Sequence, residues 1–108
     1  MDAAAIIEAL APFPRGGIAQ LPTPLEPAPG LAAELGLSAL AVKRDDRTSP
    51  RYGGNKVRKL DFLLGQALAE GRRAVVTFGA YGSNHALATA LHARALGLEP
   101  HRVRLEPE

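Results

Sequence analysis

The chain has 108 residues, which bounds it at one domain with one modest core. Its 13 basic and 11 acidic residues leave a net charge of only +2, too little for a long-range field that would gather nucleic acid or an anionic membrane. There is no cysteine, which excludes disulfides and thiolate chemistry, and three histidines alone argue against a structural zinc site, so no metal is expected.

The first residues include Asp2 and Glu8 and lack a basic segment followed by a long apolar run, so they do not read as a signal peptide. No uncharged apolar stretch is long enough to span a bilayer. The expectation is a cytoplasmic protein without a membrane partner.

Residues 3 to 11 are Ala, Ile and Leu with one Glu, a short helix that Pro12 and Pro14 stop. Six prolines and three glycines then fall between Pro12 and Gly30, a density that forbids regular helix and central strand. Ile18, Leu21 and Leu25 are spaced through this run, so it reads as an extended arm laid on a larger body. Leu31 to Leu35 can make one or two helical turns, closed by Gly36. Residues 1–38 thus form an N-terminal helix and arm, and residues 39–108 an α/β segment.

In that segment Leu40-Ala41-Val42 reads as a buried strand that ends in Lys43-Arg44-Asp45-Asp46. A loop follows through Gly54. Val57, Leu60, Leu64, Ala67 and Leu68 then mark the apolar face of a helix, with Arg58, Lys59, Asp61 and Glu70 off that face and Gly71 past its end. Ala74 to Phe78 is a second buried strand, and Gly79 to Gly82 a turn. A second helix runs from about Asn84 to Leu96 with Leu87, Leu91 and Ala95 on one face. Val103 to Leu105 closes the chain as a short strand. The pattern βαβαβ implies a parallel sheet with right-handed crossovers. Three strands and two helices cannot cover both faces of such a sheet or close its edges. The chain therefore reads as part of something larger, or as an obligate oligomer.

Two turns carry chemistry. In Gly53-Gly54-Asn55-Lys56 the glycines permit close approach to the backbone, and Asn55 is a good N-cap. Lys56 then stands in the first helical turn, where the helix dipole disfavours a cation, a setting suited to an amine that attacks an aldehyde. Alternatively, Lys56 is a surface lysine beside Arg58 and Lys59. The second turn, Thr77-Phe78-Gly79-Ala80-Tyr81-Gly82-Ser83-Asn84-His85, lies at the carboxyl end of a strand and opens a helix. Ligands bind at that edge of open α/β sheets, and a helix start receives anionic oxygens well. Ser83 or Asn84 could equally be only a cap. The glycine spacing matches neither a P-loop nor a dinucleotide fingerprint.

Lys43-Arg44-Asp45-Asp46, Gly53-Gly54-Asn55-Lys56-Val57-Arg58-Lys59-Leu60 and Gly79 through Ser83-Asn84-His85, in that order, resemble the N-terminal part of the D-cysteine desulfhydrase and 1-aminocyclopropane-1-carboxylate deaminase family. These are pyridoxal-phosphate enzymes of the tryptophan-synthase-β fold type. The resemblance extends from about Leu21 to Leu105 and includes Leu21-Pro22-Thr23-Pro24-Leu25.

It implies a partial three-layer α/β segment, pyridoxal 5′-phosphate as cofactor, and a small amino acid as substrate. The reaction it implies is a lyase or deaminase reaction releasing ammonia and a 2-oxo acid, with sulfide from cysteine. By position, Lys56 resembles the Schiff-base lysine that also moves the α-proton. Asn84 resembles the partner of the pyridoxal 3′-oxygen. Ser83 and His85 resemble residues near the substrate carboxylate and leaving group, and Asn55 belongs to the cofactor turn.

Arg47, Ser49, Pro50 and Arg51 depart from the small apolar loop of the family, and Tyr81-Gly82 from its bulkier polar pair. The family's glycine- and threonine-rich phosphate loop, pyridine-nitrogen partner and later tyrosine have no counterpart in these 108 residues. Two further readings accompany the enzyme. One is a non-catalytic fragment that needs a complement or assembles with itself. The other is a nucleic-acid module built on residues such as Lys43, Arg44, Arg51 and Lys59, which the interleaved acids and the scarcity of aromatics oppose.

Overall fold

The computed structural model describes residues 2–105. Helix α1 (Ala3–Leu10) starts where Asp2 Oδ1 accepts from the Ala5 amide at 2.9 Å, and it buries none of its residues. The arm that follows ends in strand β1 (Leu25–Pro27), then helix α2 (Pro29–Glu34), with Gly36 at φ +66° behind it.

Strand β2 (Ala41–Lys43) pairs antiparallel with β1, Leu25 opposite Lys43 and Pro27 opposite Ala41. A 3₁₀ turn (Asp45–Arg47) and a loop lead to helix α3 (Lys56–Ala69). Strand β3 (Ala74–Ala80), helix α4 (Asn84–Ala95) and strand β4 (Glu99–Leu105) complete the order. β3 and β4 pair in parallel, Ala74 beside Glu99 and Ala80 beside Leu105, so β3–α4–β4 is the expected crossover unit of an α/β fold.

The strand at residues 40 to 42 is a correction. It does not join the parallel pair but forms a separate two-stranded ribbon with the arm, and all three residues of β2 are exposed. A short apolar run identifies a strand but carries no information about its partner. The proline-rich arm supplied that partner at an edge, where proline is tolerated.

The core gathers Leu60 and Leu64 from α3, Ala88 and Ala93 from α4, and Leu98, with Ile18, Tyr52, Val75 and Leu96 packed around them. Helix α3 buries Val57, Leu60 and Leu64 as its periodicity requires. Asp61 is a correction: it lies on the buried side, 3% exposed. Its Oδ1 accepts from the Ile18 amide at 2.9 Å, its Oδ2 lies 3.4 Å from Arg15, and its carbonyl accepts from the Gly16 amide. The arm thus satisfies a carboxylate that would otherwise be stranded.

Helix α4 also differs from expectation. Ala86, Ala88, Thr89, His92 and Ala93 face inward, while Leu87 and Leu91 stay partly exposed. Small residues let α4 approach the strand pair and α3 closely, and that close approach decides the face.

Candidate functional site

The lysine turn is built by the loop before it more than by the helix it opens. Gly53 packs so tightly that a Cβ there would overlap the Asp46 carbonyl, and Gly54 sits at φ +112°, a conformation glycine adopts without strain. The Gly54 amide donates to the Asp45 carbonyl at 2.8 Å, and the buried Thr48 hydroxyl donates to the Gly54 carbonyl at 2.8 Å. Arg58 grips Asp45 with two bonds, of 2.6 and 3.0 Å, and reaches Thr23 at 3.1 Å. The Arg58 hydrogen bond, aided by Thr23 and the charge of Lys43, outweighs burial and holds the Asp45 carboxyl at about 2.

This cluster fixes the first turn of α3, and Lys56 is its first residue, partly buried at the positive end of the dipole. The expected capping role of Asn55 is a correction: it has helical φ and ψ, and its side chain makes no cap bond.

The second turn is capped locally. Ser83 is extended, and its Oγ accepts from the Ala86 amide at 3.2 Å. A Cβ on Gly79 would strike the Ser83 side chain at 2.6 Å, so glycine there lets β3 and the start of α4 close together. His85 Nδ1 is buried without a hydrogen-bond partner among the described residues. Burial first, then the nearby charges of Lys59 and Lys56, push the His85 pKa down, which favours the neutral imidazole.

The two turns meet through Tyr52, a residue to which sequence reasoning gives no role. The Tyr52 hydroxyl donates to Asn84 Oδ1 at 3.0 Å. With that oxygen engaged, the Asn84 amide presents its NH2 group as a donor. The signal available in the sequence was the position of Tyr52, immediately before Gly53-Gly54. His92, to which sequence reasoning gives no role, is 1% exposed and lies 2.9 Å from the Tyr52 carbonyl.

The structure therefore brings Asn84 and His85 to the side of the lysine turn. A separate cleft of about 580 Å³ lies at the carboxyl ends of β3 and β4, lined by Gly79, Tyr81, Gly82, Ala86, Arg102, Val103 and Arg104. Lys56 does not line it.

This arrangement fits the aldehyde and ring-oxygen end of pyridoxal phosphate: an amine at a helix start and an amide donor held by Tyr52. It does not contain a phosphate cradle like the one expected from the resemblance. Among the described residues no helix is long and apolar enough to cross a membrane, and no group of acidic or histidine side chains could hold a metal. Arg44, Arg58 and Arg72 are engaged by carboxylates.

Comparison with known proteins agrees. The family model for the pyridoxal-phosphate dependent enzymes matches residues 18–106. A nocardicin C-9′ epimerase from Nocardia uniformis is 51% identical over 79% of this chain and 25% of its own length. A D-cysteine desulfhydrase from Klebsiella pneumoniae is 47% identical over 85% of this chain and 28% of its own. A crystal structure of an ACC deaminase homologue superposes with a TM-score of 0.84 at 43% identity, over 96% of this chain and 31% of that one. The chain thus spans less than a third of the length of these relatives. It shares their α/β architecture, and it belongs to the family of pyridoxal-phosphate-dependent enzymes.

Proposed function

We propose that this chain carries the lysine-bearing side of the active site of a pyridoxal-phosphate-dependent lyase or deaminase acting on a small amino acid. The reaction is of the D-cysteine desulfhydrase kind, releasing ammonia and a 2-oxo acid, with sulfide where cysteine is the substrate. The observation that carries this reading is the Tyr52–Asn84 hydrogen bond, which ties the lysine turn to the Ser83–His85 turn.

When bound, pyridoxal phosphate supplies an electron sink for charge that develops at the substrate α-carbon. Lys56 Nζ would hold the cofactor at its aldehyde end and would move the α-proton where the substrate has one. The helix start around Lys56 disfavours a resident cation, which suits a group that must work as a free amine. Asn55 immediately precedes Lys56 in that turn, and the Asn84 NH2 group would donate to the cofactor's ring oxygen. Ser83 Oγ accepts from the Ala86 amide, which leaves its hydroxyl hydrogen to donate toward a substrate carboxylate. His85, its Nδ1 buried, stands at the same helix start close to the substrate side of the turn.

The phosphate cradle comes from polypeptide outside these 108 residues, in the same chain or a complementing one. The exposed Val76 and Phe78 of β3 favour such a partner or a second copy. A second reading, inversion at the α-carbon without loss of ammonia, is favoured by the similarity to an epimerase. It uses the same proton-moving lysine.

The test is to trap the cofactor with borohydride and map the modified lysine by mass spectrometry. Labelling concentrated on Lys56, and lost in Lys56→Ala, is the expected result. Labelling spread equally over Lys43, Lys56 and Lys59 rejects the site. Incubation with D-cysteine, scored for 2-oxo acid and for solvent deuterium at the α-carbon, separates elimination from inversion, while 1-aminocyclopropane-1-carboxylate, which has no α-hydrogen, is scored for 2-oxo acid alone.

A further inference from the structure

Tyr52 is held at three points. Its ring packs against the core formed by Leu60, Leu64, Ala88 and Ala93. Its carbonyl lies 2.9 Å from His92 Nε2, and a carbonyl can only accept, so that ring nitrogen carries the hydrogen. Its hydroxyl reaches Asn84 Oδ1 at 3.0 Å.

His92 and Asn84 belong to one helix, eight residues or about two turns apart. The loop that carries the lysine turn is therefore stapled to α4 twice. One staple lies deep and is made by a buried imidazole. The other lies at the mouth and is made by a phenol. The deep staple sets where the Tyr52 backbone sits, and the backbone sets how far the phenol reaches.

We infer that Tyr52 is a positioning residue of the cofactor site, which fixes the rotation of the Asn84 amide so that its NH2 group, and not its oxygen, faces the cofactor, with buried His92 holding Tyr52 in place. This rests on the reading of Lys56 and Asn84 given above. A side-chain amide free to flip presents an acceptor half of the time, and an acceptor repels an anionic ring oxygen. In the structure the phenol donates to Oδ1, which holds the amide with its NH2 group turned away from Tyr52, without touching the ligand. Phenylalanine at this position would keep the packing and lose the staple.

The test compares Tyr52→Phe, Asn84→Ala and the double variant in the intact protein, with Lys56→Ala as control. The readouts are pyridoxal-phosphate affinity, the pH midpoint of the bound chromophore, and the Asn84 side-chain amide resonances of the cofactor-free protein. Tyr52→Phe is expected to shift those resonances without cofactor and to weaken affinity about threefold to tenfold, the worth of one oriented hydrogen bond. It should also move the chromophore midpoint in the same direction as Asn84→Ala. The double variant should resemble Asn84→Ala alone, because the two groups act as one unit.

Additive losses in the double variant overturn the inference. So does wild-type affinity in Tyr52→Phe while Asn84→Ala and Lys56→Ala bind poorly, an outcome that leaves the site itself standing. If Lys56→Ala binds the cofactor as well as the wild type, the proposed function falls and this inference falls with it.

Discussion

Helices α3 and α4 both begin at the site, yet their starts are made in opposite ways. At α4 a single local residue does the work: Ser83 caps the Ala86 amide, three residues on. At α3 the residue in the capping position, Asn55, makes no side-chain bond. The turn is held from outside instead, by Thr48, Asp45 and the tight seat of Gly53 on the Asp46 carbonyl. A locally capped turn tolerates changes in its surroundings. A turn held by its surroundings transmits their displacements to the lysine, which makes residues 45–52, ahead of the double glycine, part of the site.

The most severe way to break the comparison is Gly53→Ala. The added Cβ meets backbone that cannot give, so a loss of about 3 kcal/mol or more is expected in denaturant unfolding, with cofactor trapping at Lys56 falling in parallel. Alanine at Gly82, where nothing lies within 4 Å but φ is +79°, should cost less, about 1 kcal/mol. Equal losses at the two glycines would remove the distinction between an external and a local seat.

A smaller contrast lies between the two capping positions. Ser83→Ala should destabilise by about 1 kcal/mol, the usual cost of losing a side-chain cap. Asn55→Ala should change thermal stability by less than about 0.5 kcal/mol, because no cap bond is lost. Matching losses would mean that Asn55 caps α3 after all.

The smallest effect is one of pH. The folded His85 pKa lies below its unfolded value near 6.5, because burial and two lysines oppose the charged form. Above about 6.5 both states are neutral and His85 contributes no pH dependence. As pH falls below that value the unfolded chain takes up the proton first, so stability declines. His85→Gln should flatten the stability curve in that window, and an unchanged slope would show that the imidazole titrates normally.

Much of this was legible in the sequence where residues act on near neighbours. The α3 stripe of Val57, Leu60 and Leu64, the glycines past α2, α3 and α4, and the two turns all follow from spacing of a few positions. What was not legible depends on partners far along the chain. Asp61 reads as a surface acid until the Ile18 amide, 43 residues away, needs an acceptor. His92 reads as an incidental helix residue until a carbonyl 40 residues earlier is set against it. The inward face of α4 was misjudged for another reason. Hydrophobicity ranks leucine above alanine, but the gap between a helix and a neighbouring strand is filled by whatever fits it.

The attachment of the arm to Asp61 sets a practical limit on shortening this protein. The arm is bonded to α3 at Gly16 and Ile18 and to the lysine loop where the Gln20 amide donates to the Thr48 carbonyl at 2.7 Å. A version trimmed to begin after Gln20 would leave a carboxylate facing apolar neighbours one and a half helical turns from Lys56, and would release Thr48 at the same stroke. Any minimal form made for binding studies has to begin before Arg15.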